Sequence, residues 1–509
     1  MGSVGMMELL TMGAEIIFKP SMLMMVGFGI ILGVIFGALP GVSASMAVAL
    51  GISFTYKMTA VESIAFLAAI YCSAVTGGGI TAILFKIPGT PSSAPTTFDG
   101  YPMALRGEAG KALGVSLMCS GIGGLFSAVA MLLLSAQLMQ AALLFGPAEL
   151  FAVCFLGLSI LTCLDAKNMC RTIISGLIGL FLACIGIDPL LGISRLTWGN
   201  DMLLSGFEMI PVMIGIFAVT EVLHQTITPR QMKPVTGKES SDTVLPSLKE
   251  WFQIKWTVLR CSVIGTVVGI LPGAGATIAA FLGYATEAKM SKNADKFGTG
   301  VIDGIAASET SNNAATGGSM VPLLTLGIPG GAAAAIMASA LMLKGVQLGP
   351  LMLIKQPEYL STTFFSMVIA NILMVVVSIL IARVFAKVLK VPYSYLGPVI
   401  IMLAAIGSFS TQNTVSDIII MALSGILGYT FIYCRFNPAA MVLGLVLGTM
   451  CETNLRRSSI INQNNFAKIF GSPISIVVLT VSGLALLYPV VKPYMVAAYK
   501  KVKEPKSAA

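Results

Sequence analysis

Residues 76–93 read Thr76-Gly77-Gly78-Gly79-Ile80-Thr81-Ala82-Ile83-Leu84-Phe85-Lys86-Ile87-Pro88-Gly89-Thr90-Pro91-Ser92-Ser93. Residues 316–331 repeat the pattern, opening Thr316-Gly317-Gly318-Ser319 and closing Ile328-Pro329-Gly330-Gly331. Each copy sets a glycine cluster, a short apolar run and Ile-Pro-Gly inside sequence that is otherwise apolar enough for a bilayer. Glycine and proline interrupt helix and free backbone groups from their usual partners. In lipid this is tolerated only where the backbone is buried in protein or lines a polar cavity. Two such interruptions at corresponding places predict broken or re-entrant helices that meet near the midplane, as in a transport site.

The surrounding composition agrees. Of 509 residues, 56% are hydrophobic and 10% charged, against roughly 25% charged in a soluble domain; mean hydropathy is +0.90. Apolar runs at 21–39, 111–136, 204–224, 361–382 and 473–491 are long enough to span a bilayer. Glu8, Glu15 and Lys19 make the first residues unlike a removable signal peptide. The nine cysteines show no metal or disulfide spacing and read as packing residues. The net charge of +9 sits mostly at the ends of apolar runs. Topology and lipid headgroups account for it better than nucleic acid.

The two copies belong to a longer repeat. Gly33/Gly265, Gly37/Gly269, Pro40/Pro272 and Gly41/Gly273 each differ by 232 positions. Thr76/Thr316 differ by 240, Pro88/Pro329 by 241, and Ser175/Ser424 and Asp188/Asn437 by 249. A slowly drifting offset with intact order is the mark of a duplicated unit with small loop insertions. The expected organisation is a first membrane repeat over 1–224, a cytoplasmic linker over 225–250, a second repeat over 251–495 and a basic tail over 496–509. The basic linker fixes one loop inside. Counting spans from it places Lys167 and Arg171 inside in the first half and Arg383, Lys387 and Lys390 inside in the second. Equivalent turns then face opposite sides, so the repeats read as inverted. The fold class is an all-α polytopic membrane protein of two inverted repeats.

Polar side chains concentrate beside the breaks. Ser308-Glu309-Thr310-Ser311-Asn312-Asn313 runs into Thr316-Gly317-Gly318. Burying such groups unpaired costs about 1–3 kcal/mol each. Interhelical hydrogen bonds are one use for them; the density favours a ligand or ion site, and hard oxygen donors suit Na+. After the first break come Thr90, Ser92, Ser93, Thr96 and Thr97. A helix starting there would present free N–H groups to a carboxylate, or the segment simply turns a re-entrant loop. Arg106 and Lys344 fall at equivalent places, to attract an anion or to snorkel at the membrane edge. Leu105 stands where a P-loop requires glycine, so 107–111 is no nucleotide site. His224 is the only histidine and reads as interfacial.

Several segments resemble the large membrane subunit of the tripartite tricarboxylate transporters. They are residues 37–44, 83–114, 186–199, 303–331, 436–448 and 452–458, and the similarity runs over nearly the whole chain. The resemblance implies a permease subunit in a bacterial inner membrane, completed by a small four-helix membrane subunit. A periplasmic solute-binding protein would deliver citrate or a related carboxylate, and a cation gradient, Na+ in preference to H+, would drive uptake. It implies no other cofactor, no nucleic acid partner and no enzyme activity. The expected substrate-binding residues are Ser43, Ser45, Thr76, Gly77, Gly78, Gly89, Thr90, Ser92, Ser93, Thr96, Pro329, Gly330 and Gly331. The expected cation-binding residues are Ser73, Ser311, Asn312, Asn313, Thr316 and Gly317, with Na+ itself at Asn312, Asn313 and Thr316. An elevator-type movement is the expected form of alternating access. A membrane-embedded enzyme on a lipid-linked substrate, or a passive anion channel, are the alternatives.

Overall fold

The structure is a computed structural model that describes residues 6–39, 42–142, 145–164, 168–200, 203–228, 244–271, 275–388, 393–465 and 471–487. The repeat markers Pro40, Gly41, Pro272 and Gly273, most of the linker and the basic tail lie outside the described residues. The protein is an all-α polytopic membrane protein. Among the described residues, eight helices are long and apolar enough to cross a membrane.

The helices form two compact units, and each unit draws on both sequence halves. Helices α1 (Met6–Ile17), α2 (Pro20–Ala38), α3 (Ala44–Ile52), α4 (Ala60–Phe85), α5 (Thr96–Leu105) and α6 (Ala109–Ala142) open the first unit. Helices α7 (Pro147–Leu164) and α8 (Met169–Ala183) start the second, followed by the short strands β1 (Gly186–Ile187) and β2 (Ser194–Arg195). The chain then returns to the first unit through α9 (Met209–Ile214), a π-turn at 215–219, α10 (Thr220–Ile227), α11 (Leu248–Ile270) and α12 (Gly275–Met290). It continues there with α13 (Ile302–Leu326), α14 (Ala332–Leu343), α15 (Met352–Lys355), α16 (Pro357–Val388), α17 (Tyr393–Gln412) and α18 (Val415–Tyr433). Helices α19 (Pro438–Ile461) and α20 (Pro473–Leu487) complete the second unit. At 24 residues, α19 has the length to cross.

The glycine clusters do not break their helices. Helix α4 runs through Gly77, Gly78 and Gly79, and α13 runs through Gly317 and Gly318. Both positions are buried, so no water competes for the backbone and its helical bonds persist. The breaks come later, where Lys86 (φ 57°) and Gly327 (φ 75°) take the left-handed conformation that ends a helix. What the glycines supply is close approach. A Cβ on Gly29, Gly33 or Gly37 of α2 would meet backbone of Phe66, Ile70 or Ala74 in α4 at 2.6, 2.7 and 2.0 Å. On Gly265 and Gly269 of α11 it would meet Ser311 and Ala315 of α13 at 2.3 and 2.6 Å. Four-residue spacing lines these glycines on one face, the small-residue packing of membrane helices.

Each break folds back onto its own glycine cluster. The Gly89 amide donates to the Gly78 carbonyl at 3.2 Å, and the Gly330 amide to the Ser319 carbonyl at 3.4 Å. A Cβ on Gly89 would lie 2.1 Å from the Gly37 carbonyl; on Gly330 it would lie 2.5 Å from that of Gly269. Corresponding residues therefore make corresponding contacts in the two halves. Helices α4 and α13 run antiparallel: Tyr71 meets Ser319, Thr76 meets Asn313, and Gly79 meets Glu309.

In the second unit, α8 and α19 pack through Gly176, Gly179 and Gly444. The strand pair is held to α19 by charge. Arg456 reaches Asp188 at 2.6 Å and Glu452 at 3.1 Å, and Arg195 bonds Glu452 as well. The Arg456 hydrogen bond, helped by the Leu190 and Leu191 amides, draws the Asp188 carboxyl down from 3.8 to about 2 against an opposing desolvation cost. This network takes up Asp188 and Arg195 of one recognisable segment and Glu452 and Arg456 of another. Of the described cysteines, Cys72, Cys119, Cys154 and Cys261 are buried packing residues as expected, but Cys170 and Cys434 are exposed.

The return contacts predict that Gly89→Ala and Gly330→Ala each destabilise the protein by about 1–3 kcal/mol, the cost of overpacking a rigid backbone contact. Thermal unfolding in detergent checks this, with Gly27→Ala, where a Cβ meets nothing within 4 Å, as the neutral control.

Candidate functional site

Three consecutive glycines turn three faces of α4, about 100° apart, toward three different neighbours. Gly77 faces α2 at Val34 and Gly37, Gly78 faces Thr90 and Ser93 of the first break, and Gly79 faces Glu309 of α13 and Ser116 of α6. A glycine at all three lets the helix touch all three partners at once. The first break and the polar run of α13 are thereby brought together.

Glu309 sits at this junction with no solvent exposure. Its Oε1 accepts a short hydrogen bond from Thr96 at the start of α5. Its Oε2 accepts from Ser120 of α6 at 3.0 Å and from the Asn312 amide at 3.3 Å. Thr96 Oγ1 also lies 2.9 Å from Ser308 Oγ, which donates to the Gly304 carbonyl at 3.1 Å. The Asn312 amide is 3.5 Å from the Ser92 carbonyl of the break. Above this group, the Asn313 amide donates to Asn312 Oδ1 at 2.8 Å, and Thr76 donates to Asn313 Oδ1 at 3.0 Å. Thr316 donates to the Asn313 carbonyl at 2.7 Å. Thr90, Ser92 and Ser93 bond one another through their hydroxyls and are buried.

The expected site residues therefore divide. Thr76, Gly78, Thr90, Ser92, Ser93, Thr96, Asn312, Asn313 and Thr316 lie on one connected polar seam. Gly89, Pro329, Gly330 and Gly331 shape the two breaks, and Gly331 also caps α14. Ser43 and Ser45 bond each other at 2.8 Å, and Ser43 caps α3 by accepting from the Met46 amide. Ser73 and Ser311 return their hydroxyls to Ala69 and Ala307 of their own helices, facing Gly33 and Gly283. Gly77 and Gly317 face α2 and Ser127 of α6. Among the described residues, the side-chain hydrogen bonds of Glu309 go to Thr96, Ser120 and Asn312 and to none of these last six.

The residue that sequence reading left out of its site is Glu309 itself, together with Ser116 and Ser120. Glu309 was visible in the polar run; what gave it a role was its set of hydroxyl partners from α5 and α6, which no local pattern encodes. Arg106 and Lys344 also take roles the sequence did not supply. Arg106 donates to the carbonyls of Thr299 and Gly300, ahead of α13. Lys344 donates to Thr55, Tyr56 and Met58, ahead of α4, at 2.8–3.2 Å. Each cation ties the helix after one break to a loop of the other half. Asp99 adds to the first tie by accepting from the amides of Gly298, Gly300 and Val301.

The Thr96 bond yields a direct prediction. Thr96→Val leaves a buried carboxyl oxygen without its hydrogen-bond partner and costs about 2 kcal/mol of stability, whereas Thr325→Val, whose hydroxyl back-bonds Val321, costs well under about 1 kcal/mol. Paired thermal melts of the two variants measure the difference.

Comparison with known proteins places these features in a family setting. Residues 23–443 match the tripartite tricarboxylate transporter TctA family. The chain is 34% identical over 476 residues to an uncharacterized 52.8 kDa protein of the TAR-I ttuC' 3' region of Agrobacterium vitis, covering 94% of each chain. It is 39% identical over 211 residues to an uncharacterized protein of the TAR-II ttuC' 3' region of the same organism, covering 42% of this chain and 87% of that one.

Proposed function

The chain belongs to the tripartite tricarboxylate transporter TctA family, and from that premise we propose that it is the permease subunit of a secondary carrier importing citrate-like or related carboxylates. The observation that carries this reading is the buried polar seam joining the first break to α13, within a chain of eight potential membrane spans. Intramembrane polar clusters of this density are costly unless they serve a pathway.

In this reading Thr90, Ser92, Ser93 and Thr96, with Thr76 and Gly78 behind them, receive substrate carboxylates. The hydroxyls of Thr90, Ser92 and Ser93, which bond one another, can turn to an anion with little rearrangement. Asn312, Asn313 and Thr316 supply oxygen atoms for a coupling Na+, with H+ as the other candidate. The four-helix subunit, the binding protein and the inner-membrane setting come from the family resemblance. The antiparallel crossing of α4 and α13, and the repeated contacts at the two breaks, support inverted repeats over 1–224 and 251–495. Such repeats suit alternating access, here by an elevator-type displacement.

The test is uptake of labelled carboxylate by proteoliposomes holding both membrane subunits, with binding protein and an imposed Na+ or proton gradient. Accumulation should collapse when the driving gradient is dissipated. Asn313→Ala and Thr316→Ala should each lower uptake by about tenfold or more, the scale of one lost buried hydrogen bond. Accumulation indifferent to both gradients would remove the coupling, and full uptake by both variants would remove the site.

A further inference from the structure

We propose that Glu309 is a proton-carrying group of the transport cycle, protonated from one side of the membrane and deprotonated to the other. This rests on the carrier reading above and adds to it a residue and an ion at the same junction. The first ground is charge. Glu309 is fully buried, and among the described residues no lysine or arginine pairs with it. A buried carboxylate without a counter-ion is strongly disfavoured, so the resting group takes up a cation.

The second ground is space. A Cβ on Gly79 would lie 2.8 Å from both Glu309 Oε1 and Ser116 Oγ, so the carboxyl is packed directly against α4. A proton needs no added volume. Ser116 Oγ is buried and has no hydrogen-bond partner among the described residues, and it borders the same spot. It is a spare donor or acceptor within the wall of the site.

The third ground is the partner set, which suits both charge states. Asn312 can only donate through its amide, and so fixes Oε2 as an acceptor. Thr96 can reverse. With the carboxylate, Thr96 donates to Oε1. With the acid, the Oε1 hydroxyl donates to Thr96, Thr96 donates to Ser308, and Ser308 donates to the Gly304 carbonyl. The step is a bare proton exchange: Oε1 gains H+ from the aqueous phase on the loading side and returns it on the other. No heavy atom must move for the partners to follow.

Other titratable groups around the junction are few. Cys119 of α6, next to Ser120, is a buried thiol. Asp99 of α5 is committed to backbone amides and Tyr284. Asp303 of α13 is bonded by Gln253, Ser291 and Asn293. From α4, Gly79 brings none, and from the break the contact is the Ser92 carbonyl.

The experiment uses the complete two-subunit permease in weakly buffered proteoliposomes with binding protein, equal Na+ on both sides and citrate as substrate. Labelled uptake and proton movement, read by a pH indicator, are followed together. Wild type should move protons with citrate. Glu309→Gln should move one proton fewer per citrate at whatever residual rate it retains, since protons riding on citrate itself persist. Ser120→Ala removes a donor that favours the ionised form, so its pH profile of uptake should shift to more alkaline values. Citrate movement by wild type without accompanying protons overturns the proposal. So does an unchanged proton-to-citrate ratio in Glu309→Gln, or an unshifted profile in a Ser120→Ala variant of normal thermal stability. Absence of any citrate movement by wild type would instead contradict the carrier reading.

Discussion

A buried carboxyl group that pairs with no lysine or arginine among the described residues, sealed among hydroxyls and one amide, is the constraint on which the arrangement depends. Glu309 draws its donors from three elements: Thr96 on α5, Ser120 on α6 and Asn312 on its own helix. In a low-dielectric interior every one of these bonds matters more than it would in water, and an unmade one is costly. The start of α5 must therefore stay where Thr96 can reach. That position is set by the break before it, and the break is pinned to Gly78 and Gly37.

Backbone packing makes the polar junction affordable. Helices α2 and α11 touch α4 and α13 through glycine faces, which seats each polar helix against its neighbour with almost no intervening side chain. Without a hydrophobic drive between helices in lipid, contacts of this kind supply the association through dispersion and exact fit of small residues. Arg106, Asp99 and Lys344 work at the ends of the same helices. They commit their charges to loop carbonyls and amides, so the two cations, read from the sequence as attracting an anion or snorkelling at the membrane edge, brace the helices that follow the breaks.

Much of this was legible in the residues. Apolar runs disclosed a membrane chain, because spans need length, and the drifting Gly/Pro offsets point to residues that make corresponding contacts at the two breaks. The polar run from Ser308 to Thr316 marked one wall of the junction. The Ile-Pro-Gly breaks stand where the sequence puts them, beside Lys86 and Gly327, but the glycine clusters lie within their helices, since a glycine that permits unwinding and one that permits contact look alike in a string. Only burial distinguishes them. Glu309 was passed over for a related reason: without the hydroxyls of Thr96 and Ser120 beside it, a single acid carries no pattern. Conversely, Ser43, Ser73 and Ser311 looked functional but spend their hydroxyls on a cap or on their own helix.

The central claim is that the first break forms a carrier site opened in turn to each side of the membrane. Its most direct test is alkylation of Ser93→Cys by a membrane-impermeant thiol reagent in sealed vesicles of right-side-out and inside-out orientation. The two-subunit permease is used, and labelling of the unsubstituted protein is subtracted. The account predicts reaction from both faces and protection by citrate on both. Reaction from one face only, or labelling that citrate leaves unchanged, would contradict it.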